Sequence, residues 1–444
     1  MKKLRLLPLF VAVSAALALP AGAQSLVNLY ESARGFDASY LSAKSQHAAT
    51  LAKAAQGKAA VLPTANLALN ASRSTQDFTK DGSPKSDITY GTQSATVSAS
   101  QPLYRPGNWA SYQQSTKQID LAQAQLTVAD QDLIVRVSQS YFDVLAAQDS
   151  LTFVKAQKAA VAEQLASAKR NFEVGTSTIT DTREAQARFD LVVAQEIAAE
   201  NDLRVKKIAL DQLVGKVDAQ PNILAQPLSL PDLLPNDANA WVQQSEAGHP
   251  SIIQTQIALD VAQLETKKAE SGHQPTLDLT ASYSAINNMD GNSGFVAGNS
   301  RANAGTIGLA FNLPLFAGFA TQNRIKETLA LEDKARNDLE GAKRAVAQGT
   351  RTAFFGVLSG QGQVKALEAA EASSQSALDA NKLGYQVGVR INIDVLNSQS
   401  QLFQTKRDLA KARYDVLVGS LKLRQANGTL KADDLQSVNA LLVK

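Results

Sequence analysis

"NFEVGTSTITD" (Asn171–Asp181) and "GYQVGVRINID" (Gly384–Asp394) spell one pattern twice: an aromatic residue, any residue, Val-Gly, five residues, then Asp. Phe172 and Tyr385 stand 213 positions apart. The same offset recurs elsewhere. Pro63-Thr64-Ala65-Asn66-Leu67 is echoed 212 positions later by Pro275-Thr276-Leu277-Asp278-Leu279, and Pro102-Leu103-Tyr104 by Pro314-Leu315-Phe316. The chain is therefore two copies of a unit of about 210 residues, far longer than the solenoid period of about 20–50 residues.

Each copy has the same order of parts. A helical segment leads, over roughly 26–57 in the first copy and 238–271 in the second. Two alternating stretches follow. Leu277, Leu279, Ala281 and Tyr283 alternate with Thr276, Asp278, Thr280 and Ser282; Ile307, Leu309, Phe311 and Leu313 alternate with Thr306, Gly308, Ala310 and Asn312. Period-two alternation predicts strands with one apolar face. Taken alone it suits a half-buried sheet in a soluble domain equally well. The links "DFTKDGSP" and "NNMDGNSGFVAGNSRAN" have loop composition.

Long helical stretches flank the quoted motif. No Gly or Pro interrupts residues 108–174, and Pro is absent after Pro314. Apolar residues recur at sevens: Leu121, Val128, Val135 and Phe142, with Val137, Val144 and Leu151 beside them. The last helical stretch repeats this with Leu402, Leu409, Val416 and Leu423, and again with Leu396, Phe403, Ala410 and Leu417. Sustained heptads predict coiled-coil packing. Two adjacent rows on one helix suit a ring of helices, though a coiled-coil hairpin with a wide core stripe would show the same rows.

Composition narrows the function classes. Lys2, Lys3 and Arg5, the apolar run 6–19 and Ala21-Gly22-Ala23 read as a secretory signal peptide over 1–23. After it no stretch approaches the ~20 apolar residues of a membrane helix. The formal charge of +3 comes from those leader cations, and no basic stripe marks a nucleic-acid partner. There is no cysteine, and the three histidines, His47, His249 and His273, are scattered. No metal site, cofactor or catalytic constellation is expected, so the reading is not an enzyme.

The strand count forces an assembly if the sheet spans a membrane. Open edges leave backbone groups unpaired in lipid, and the smallest closed barrels have about eight strands. One chain offers four. Two chains would supply eight strands and a filled interior; three would supply twelve, with room for a lumen.

At this point the residues resemble the TolC family of outer-membrane channel proteins. The most specific stretch is "LGYQVGVRINIDVLNSQSQLFQTKRDLAKARYDVL" (383–417), with "NFEVGTSTITDTREAQARFD" (171–190) as its partner. "QPLYRPGN" and "LPLFAGF" resemble the family's strand-to-helix junctions. The resemblance implies a mixed α and β fold. A homotrimeric 12-stranded transmembrane β-barrel would continue into a long periplasmic α-helical barrel of coiled-coil hairpins, with two structural repeats per chain. The expected division is a first repeat over 24–219, with strands about 62–75 and 89–103 and a hairpin tip about 171–181. A Pro-rich linker over 220–237 would lie in the equatorial region. A second repeat over 238–428 would have strands about 275–288 and 303–316 and a tip about 384–394, followed by a C-terminal equatorial segment over 429–444.

The motif then reads as a hairpin tip. Gly175 and Gly388 would release the backbone where one helix ends. Thr180–Asp181 and Asn392–Asp394 would open the return helices as caps and dipole partners. For both acids that local role is also sufficient by itself. The resemblance implies more: Asp394 would ring the pore, with Asn397 where the family pattern has a second acid. Tyr385 and Arg390 would latch to Thr180 and Asp181 of the neighbouring hairpin. Val174, Gly175, Val387 and Gly388 would meet the adaptor. Tyr104, Trp109, Phe316 and Phe319 suit either a belt at the membrane–water boundary or packing at the strand–helix junction.

The implied function is a passive outer-membrane exit duct of an efflux pump or type I secretion system. It would be fed by a periplasmic adaptor (membrane fusion) protein and an inner-membrane transporter of the ABC, RND or MFS type. The alternative is a soluble periplasmic coiled-coil adaptor or scaffold, which explains the leader and heptads but not four strands in matched positions. An ordinary porin would need all its strands in one chain.

Overall fold

The computed structural model describes residues 24–79, 81, 86–225, 230, 232–289 and 298–443. The leader assigned to 1–23 lies outside them, as do parts of the Pro-rich linker and of the two strand-linking loops. In chain order the elements are α1 (Leu26–Phe36), α2 (Ala38–Gly57), β1 (Thr64–Phe78), β2 (Ser86–Tyr104), α3 (Pro106–Glu173), α4 (Ile179–Val214), α5 (Ala238–Gly248), α6 (Pro250–Glu270), β3 (Thr276–Met289), β4 (Ser300–Asn312), α7 (Ala320–Gln386), α8 (Asn392–Ala426) and α9 (Asp434–Asn439). At 68 residues α3 is about 100 Å long, as its uninterrupted helical composition requires.

The leading helix of each copy is broken, which the sequence reading treated as continuous. In the first copy Asp37 makes the break. Its N–H closes α1 on the Ala33 carbonyl, and its carboxylate accepts the Tyr40 N–H at 2.8 Å. Arg136 of α3 donates to both carboxylate oxygens at 2.9 Å. That guanidinium, with the Tyr40 and Ser39 amides, outweighs burial and holds the Asp37 carboxyl below the usual range. In the second copy His249 caps α5 and Pro250 opens α6, where a missing N–H costs nothing. Asp37 and His249 stand 212 positions apart, so the kink is part of the repeat.

Two compact units divide the chain. One comprises Ser45–Gln125 and Ile253–Ala342 and holds the sheet. Its four strands run antiparallel in the order β1-β2-β3-β4. Register sorts the side chains into rows. Ala65, Ala99, Ala281 and Ile307 lie opposite one another; so do Leu67, Val97 and Tyr283; and so do Leu69, Ala95 and Ala285. On the same face Leu279 pairs with Leu309 and Leu277 with Phe311. The reverse face is small and polar: Asn66, Ser98, Ser282 and Thr306 form one row, and Ser72, Thr92, Asn288 and Ser300 another. The apolar face is exposed, with Leu67 at 64%, Ile307 at 77% and Phe311 at 67%. Five apolar rows span about 27 Å along the strands, or ~20 Å once tilted, close to the ~25 Å band of a membrane barrel. Among the described residues the outer edges of β1 and β4 have no strand partner.

Polar contacts brace the base of the sheet. Arg105, just after β2, donates Nε to Oδ1 of Asp278 at 2.8 Å and Nη2 to Oδ2 at 2.5 Å. Further along, Lys117 pairs with Asp260 at 2.8 Å. Glu265 accepts from Gln114 at 2.9 Å and from Arg324 at 2.7 Å.

The second unit holds the described residues of Met1–Lys44, Leu126–Ile252 and Lys343–Lys444. Its largest core joins Leu26, Leu29 and Tyr30 of α1, the Leu133–Leu145 stretch of α3, and Leu417 and Leu421 of α8. The α3 heptad rows feed it with Val135, Val137, Phe142 and Val144, whereas Leu402, Leu409, Val416 and Leu423 of α8 are buried in smaller clusters of their own. Val128 departs from its row and is exposed. The chain's first described residue, the linker and the tail are knitted together here. Gln24 N–H donates to the Gln220 carbonyl and Asn222 N–H to the Gln24 carbonyl. Leu224 bridges Leu442, and the Tyr141 hydroxyl donates to the Asn222 carbonyl at 2.9 Å.

Candidate functional site

The two helix-to-helix turns share one geometry. Just past the end of α3 stands Gly175 at φ 79°, and just past α7 Gly388 at φ 81°, both in the left-handed region that favours glycine. The next N–H reaches back over five residues: Thr176 to the Asn171 carbonyl at 2.8 Å, Val389 to the Gly384 carbonyl at 2.9 Å. These are matched Schellman closures. They explain why the Val-Gly pair recurs at the repeat offset.

The return helices begin differently from the sequence expectation. α4 is capped by Thr178, not by Thr180: the Thr178 hydroxyl accepts the Asp181 N–H, and the Asp181 carboxylate accepts the Thr178 N–H. Ser177 donates to the same carboxylate oxygen, Oδ2, at 2.7 Å. Burial alone would raise the Asp181 carboxyl, but the Ser177 and Thr178 donors together hold it below its usual range. Its cap is therefore fully present above the unfolded pKa near ~4 and is lost as pH falls through the depressed folded value. α8 has Ile391 at its N-cap position and so no side-chain cap. Replacing Thr178 by Ala should cost about 1 kcal/mol. Amide exchange across the first turn of α4 should then quicken roughly fivefold, with the first turn of α8 unmoved.

Asn392 does not cap α8. It is buried, donates Nδ2 to the Asp181 carbonyl at 3.4 Å, and accepts from Gln164 Nε2. Asn171 donates to the Tyr385 hydroxyl at 3.3 Å, and Arg188 Nη2 donates to Asn397 Oδ1 at 2.6 Å. These four contacts join the two hairpins of one chain. The contacts expected from Tyr385 and Arg390 to Thr180 and Asp181 are not those made between hairpins here. Tyr385 meets Asn171, Arg390 lies 3.8 Å from Asp394 one turn on, and Asp181 is engaged by its own cap. Asn171, Arg188 and Asn392 stood inside the quoted stretches, though Arg188 was given no role there; Gln164 lay outside them.

Around the turns apolar side chains lie open. Val174, Val387, Val389 and Ile391 are between 61% and 76% exposed. At the other site of interest, Tyr104, Trp109, Phe316 and Phe319 are all about half exposed or more. Phe316 and Phe319 stack edge-on at 5.4 Å.

Among the described residues the sheet is apolar on one exposed face, open at both edges and joined in sequence to long helices, as a membrane channel subunit requires. The sequence matches the family model described as Outer membrane efflux protein over residues 29–216 and 241–429, one match per repeat. It is 35% identical over 440 residues to the outer membrane protein TolC of Vibrio cholerae serotype O1, covering 98% of each chain. It is 30% identical over 428 residues to the alkaline protease secretion protein AprF of Pseudomonas aeruginosa, covering 95% of this chain and 88% of that one. The crystal structure of the outer membrane protein VceC from Vibrio cholerae superposes with a TM-score of 0.76 at 20% identity, over 91% of this chain and 96% of that one. The chain belongs to the outer membrane efflux protein family. It is an outer-membrane exit duct with a large periplasmic part, and the soluble-adaptor alternative falls away.

Proposed function

We propose that three copies close the sheet into a 12-stranded barrel and their hairpins into a twelve-helix tunnel, serving small-molecule efflux or type I protein secretion. The observation that supports this most is the four-stranded sheet: its apolar face is exposed and both its edges are open. A periplasmic adaptor would seat on the exposed valines and the glycines of the two turns, Val174, Gly175, Val387 and Gly388. An ABC, RND or MFS transporter would supply the energy. The aromatics at the strand–helix junctions would lie at the lipid boundary.

The gate in this reading is the ring of hairpin ends. Asp394 would face the axis, with Asn397 one turn deeper. Between chains, Arg390 would reach the neighbour's Asp181, whose Oδ2 is occupied by its cap, so Oδ1 would take the guanidinium. Tyr385 and Thr180 would complete the latch. Such a partly solvated link is worth little alone, which suits a closure that an adaptor undoes.

Native mass spectrometry of the detergent-extracted protein should give three chains; a monomer would overturn the proposal. In planar bilayers Arg390→Ser and Tyr385→Phe should each raise single-channel conductance, and no change in either would remove the latch. Asp394→Ala should relieve block by divalent cations. A block of undiminished strength would take the acid out of the pore.

A further inference from the structure

The duplication extends along the helices as well as through their turns. At the offset of 213, Tyr141-Phe142-Asp143-Val144-Leu145 of α3 falls on Phe354-Phe355-Gly356-Val357-Leu358 of α7. At the same offset Val205, Ile208 and Leu210 of α4 fall on Val418, Leu421 and Leu423 of α8. Gly215 and Gly428, both at positive φ, match just beyond those helices.

Equivalent positions have opposite fates. Phe142 and Leu145 of α3 share one buried cluster with Val418 and Leu421 of α8, each at most 3% exposed. Their mates Phe355 and Leu358 on α7, and Val205 and Ile208 on α4, are between 40% and 56% exposed. The first four side chains form the joint between the two repeats of one chain, α3 against α8. The second four are the parts of the same joint with the repeats exchanged, α7 against α4, and they stand bare.

The sheet repeats in the same way. Thr64 faces Ser100 in the first copy and Thr276 faces Asn312 in the second, 212 positions on in both strands. The strand joint between repeats sets Ser94 of β2 opposite Ile286 of β3. Moved by 212 to their mates, these become Thr306 of β4 and Ser74 of β1, on the two edges that lack a strand partner among the described residues. Continued along that pairing, Phe311 meets Leu69 and Leu309 meets Ala71, so the exposed apolar face runs across the joint unbroken.

We propose that a second copy of this chain covers both surfaces, seated as the two repeats of one chain are seated on each other. β4 of one copy pairs with β1 of the next, Thr306 opposite Ser74, and α7 of one packs on α4 of the next, Phe355 against Ile208. The inference rests on the three-copy reading above and adds the seam and its register. Two polar contacts of the in-chain joint have no counterpart there. The Tyr414 hydroxyl donates to Asp149 at 2.6 Å and Lys422 Nζ to Gln139 Oε1 at 2.8 Å. Their mates are Asn201 with Gly362 and Ala209 with Thr352, and neither Gly362 nor Ala209 has a polar side chain to bond with. The seam between copies therefore relies on apolar packing where the chain's own joint is hydrogen-bonded.

The chain has no cysteine, so an introduced pair reports alone. The full mature protein carrying T306C/S74C, oxidised in detergent, should lose its single-chain band on a non-reducing gel to two- and three-chain bands, and reductant should restore it. Within one chain two strands separate β1 from β4, about 14 Å, beyond the ~7 Å between Cα atoms that a disulfide tolerates, so only neighbouring copies can be joined. T306C/N70C, four residues out of register, should stay a single chain. F355C/I208C with a short bismaleimide should give the same ladder, and it decides the helical seam even if the strand variants fail to assemble. Native mass spectrometry of the untreated proteins separates the outcomes. A designed pair that assembles as three chains yet gives no ladder overturns the seam and leaves the three-copy reading standing. A ladder from the shifted pair overturns the register. A parent protein of one chain overturns both.

Discussion

Ile307→Arg should prevent stable insertion, whereas Thr306→Arg, one residue earlier, should leave it almost untouched. Ile307 sits in the middle of the five apolar rows, opposite Ala281, and is 77% exposed in the single chain. In a barrel that row lies near the bilayer midplane. An arginine there costs about 2–4 kcal/mol per chain. Thr306 pairs with Ser282 on the polar face, where a charge meets water and should shift stability by less than ~0.5 kcal/mol. Urea unfolding in lipid vesicles, with the amount recovered in the outer-membrane fraction, reads both. Equal losses from the two variants would mean that the exposed apolar face is not the lipid face.

The second large effect is expected at the base of the sheet. The Asp278 side chain is 10% exposed and takes both oxygens to Arg105. Arg105→Ala leaves that carboxylate buried without its cation. Breaking a buried pair from one side costs about 3–5 kcal/mol, and the lower end applies because Arg105 is itself 44% exposed. The thermal midpoint of the assembled protein should fall by roughly 3 °C, each kcal/mol per chain being worth about 1 °C at this length. Arg105→Ala/Asp278→Ala should recover part of the loss, since most of the cost is an orphaned charge rather than a missing attraction. A double variant no better than the single one would assign the loss to packing by the arginine stem.

Much of this architecture is written in local pattern. Alternation located the apolar rows because a strand sorts residues by parity alone, so Leu277, Leu279, Ala281 and Tyr283 share a face in any register. Heptads located the helix cores for a similar reason, and Leu402, Leu409, Val416 and Leu423 are all buried. Gly175 and Gly388 were legible because a left-handed turn admits few other residues. The break at Asp37 was harder to read. Its N-cap role depends on Arg136, 99 positions away, which settles the carboxylate there. The Pro250 break did carry a local signal, Gly-His-Pro, that a stricter reading of helix starts would have used.

The hairpin contacts were the least legible part. Asn392 looks like a cap because it opens a helix, yet its amide is spent on Asp181 and Gln164. Which of two polar roles such a residue adopts depends on how the hairpins approach each other, and no periodicity encodes that distance. Arg188 stands in the quoted 171–190 stretch with nothing there to name its partner, and Gln164 is unremarkable until the other hairpin arrives.

The knot at the start and end of the described chain has a consequence for synthesis. Leu26 N–H donates to the Asn439 side chain, 413 positions later, and Leu224 waits for Leu442. Those contacts cannot exist until nearly the whole polypeptide has been made and has crossed the inner membrane. The first repeat must therefore be kept from aggregating, with its sheet edge and apolar stripe bare, for the entire time the second is being delivered. The interval between export and closure is where a periplasmic chaperone would have most to do, and where truncations near the tail would be felt first.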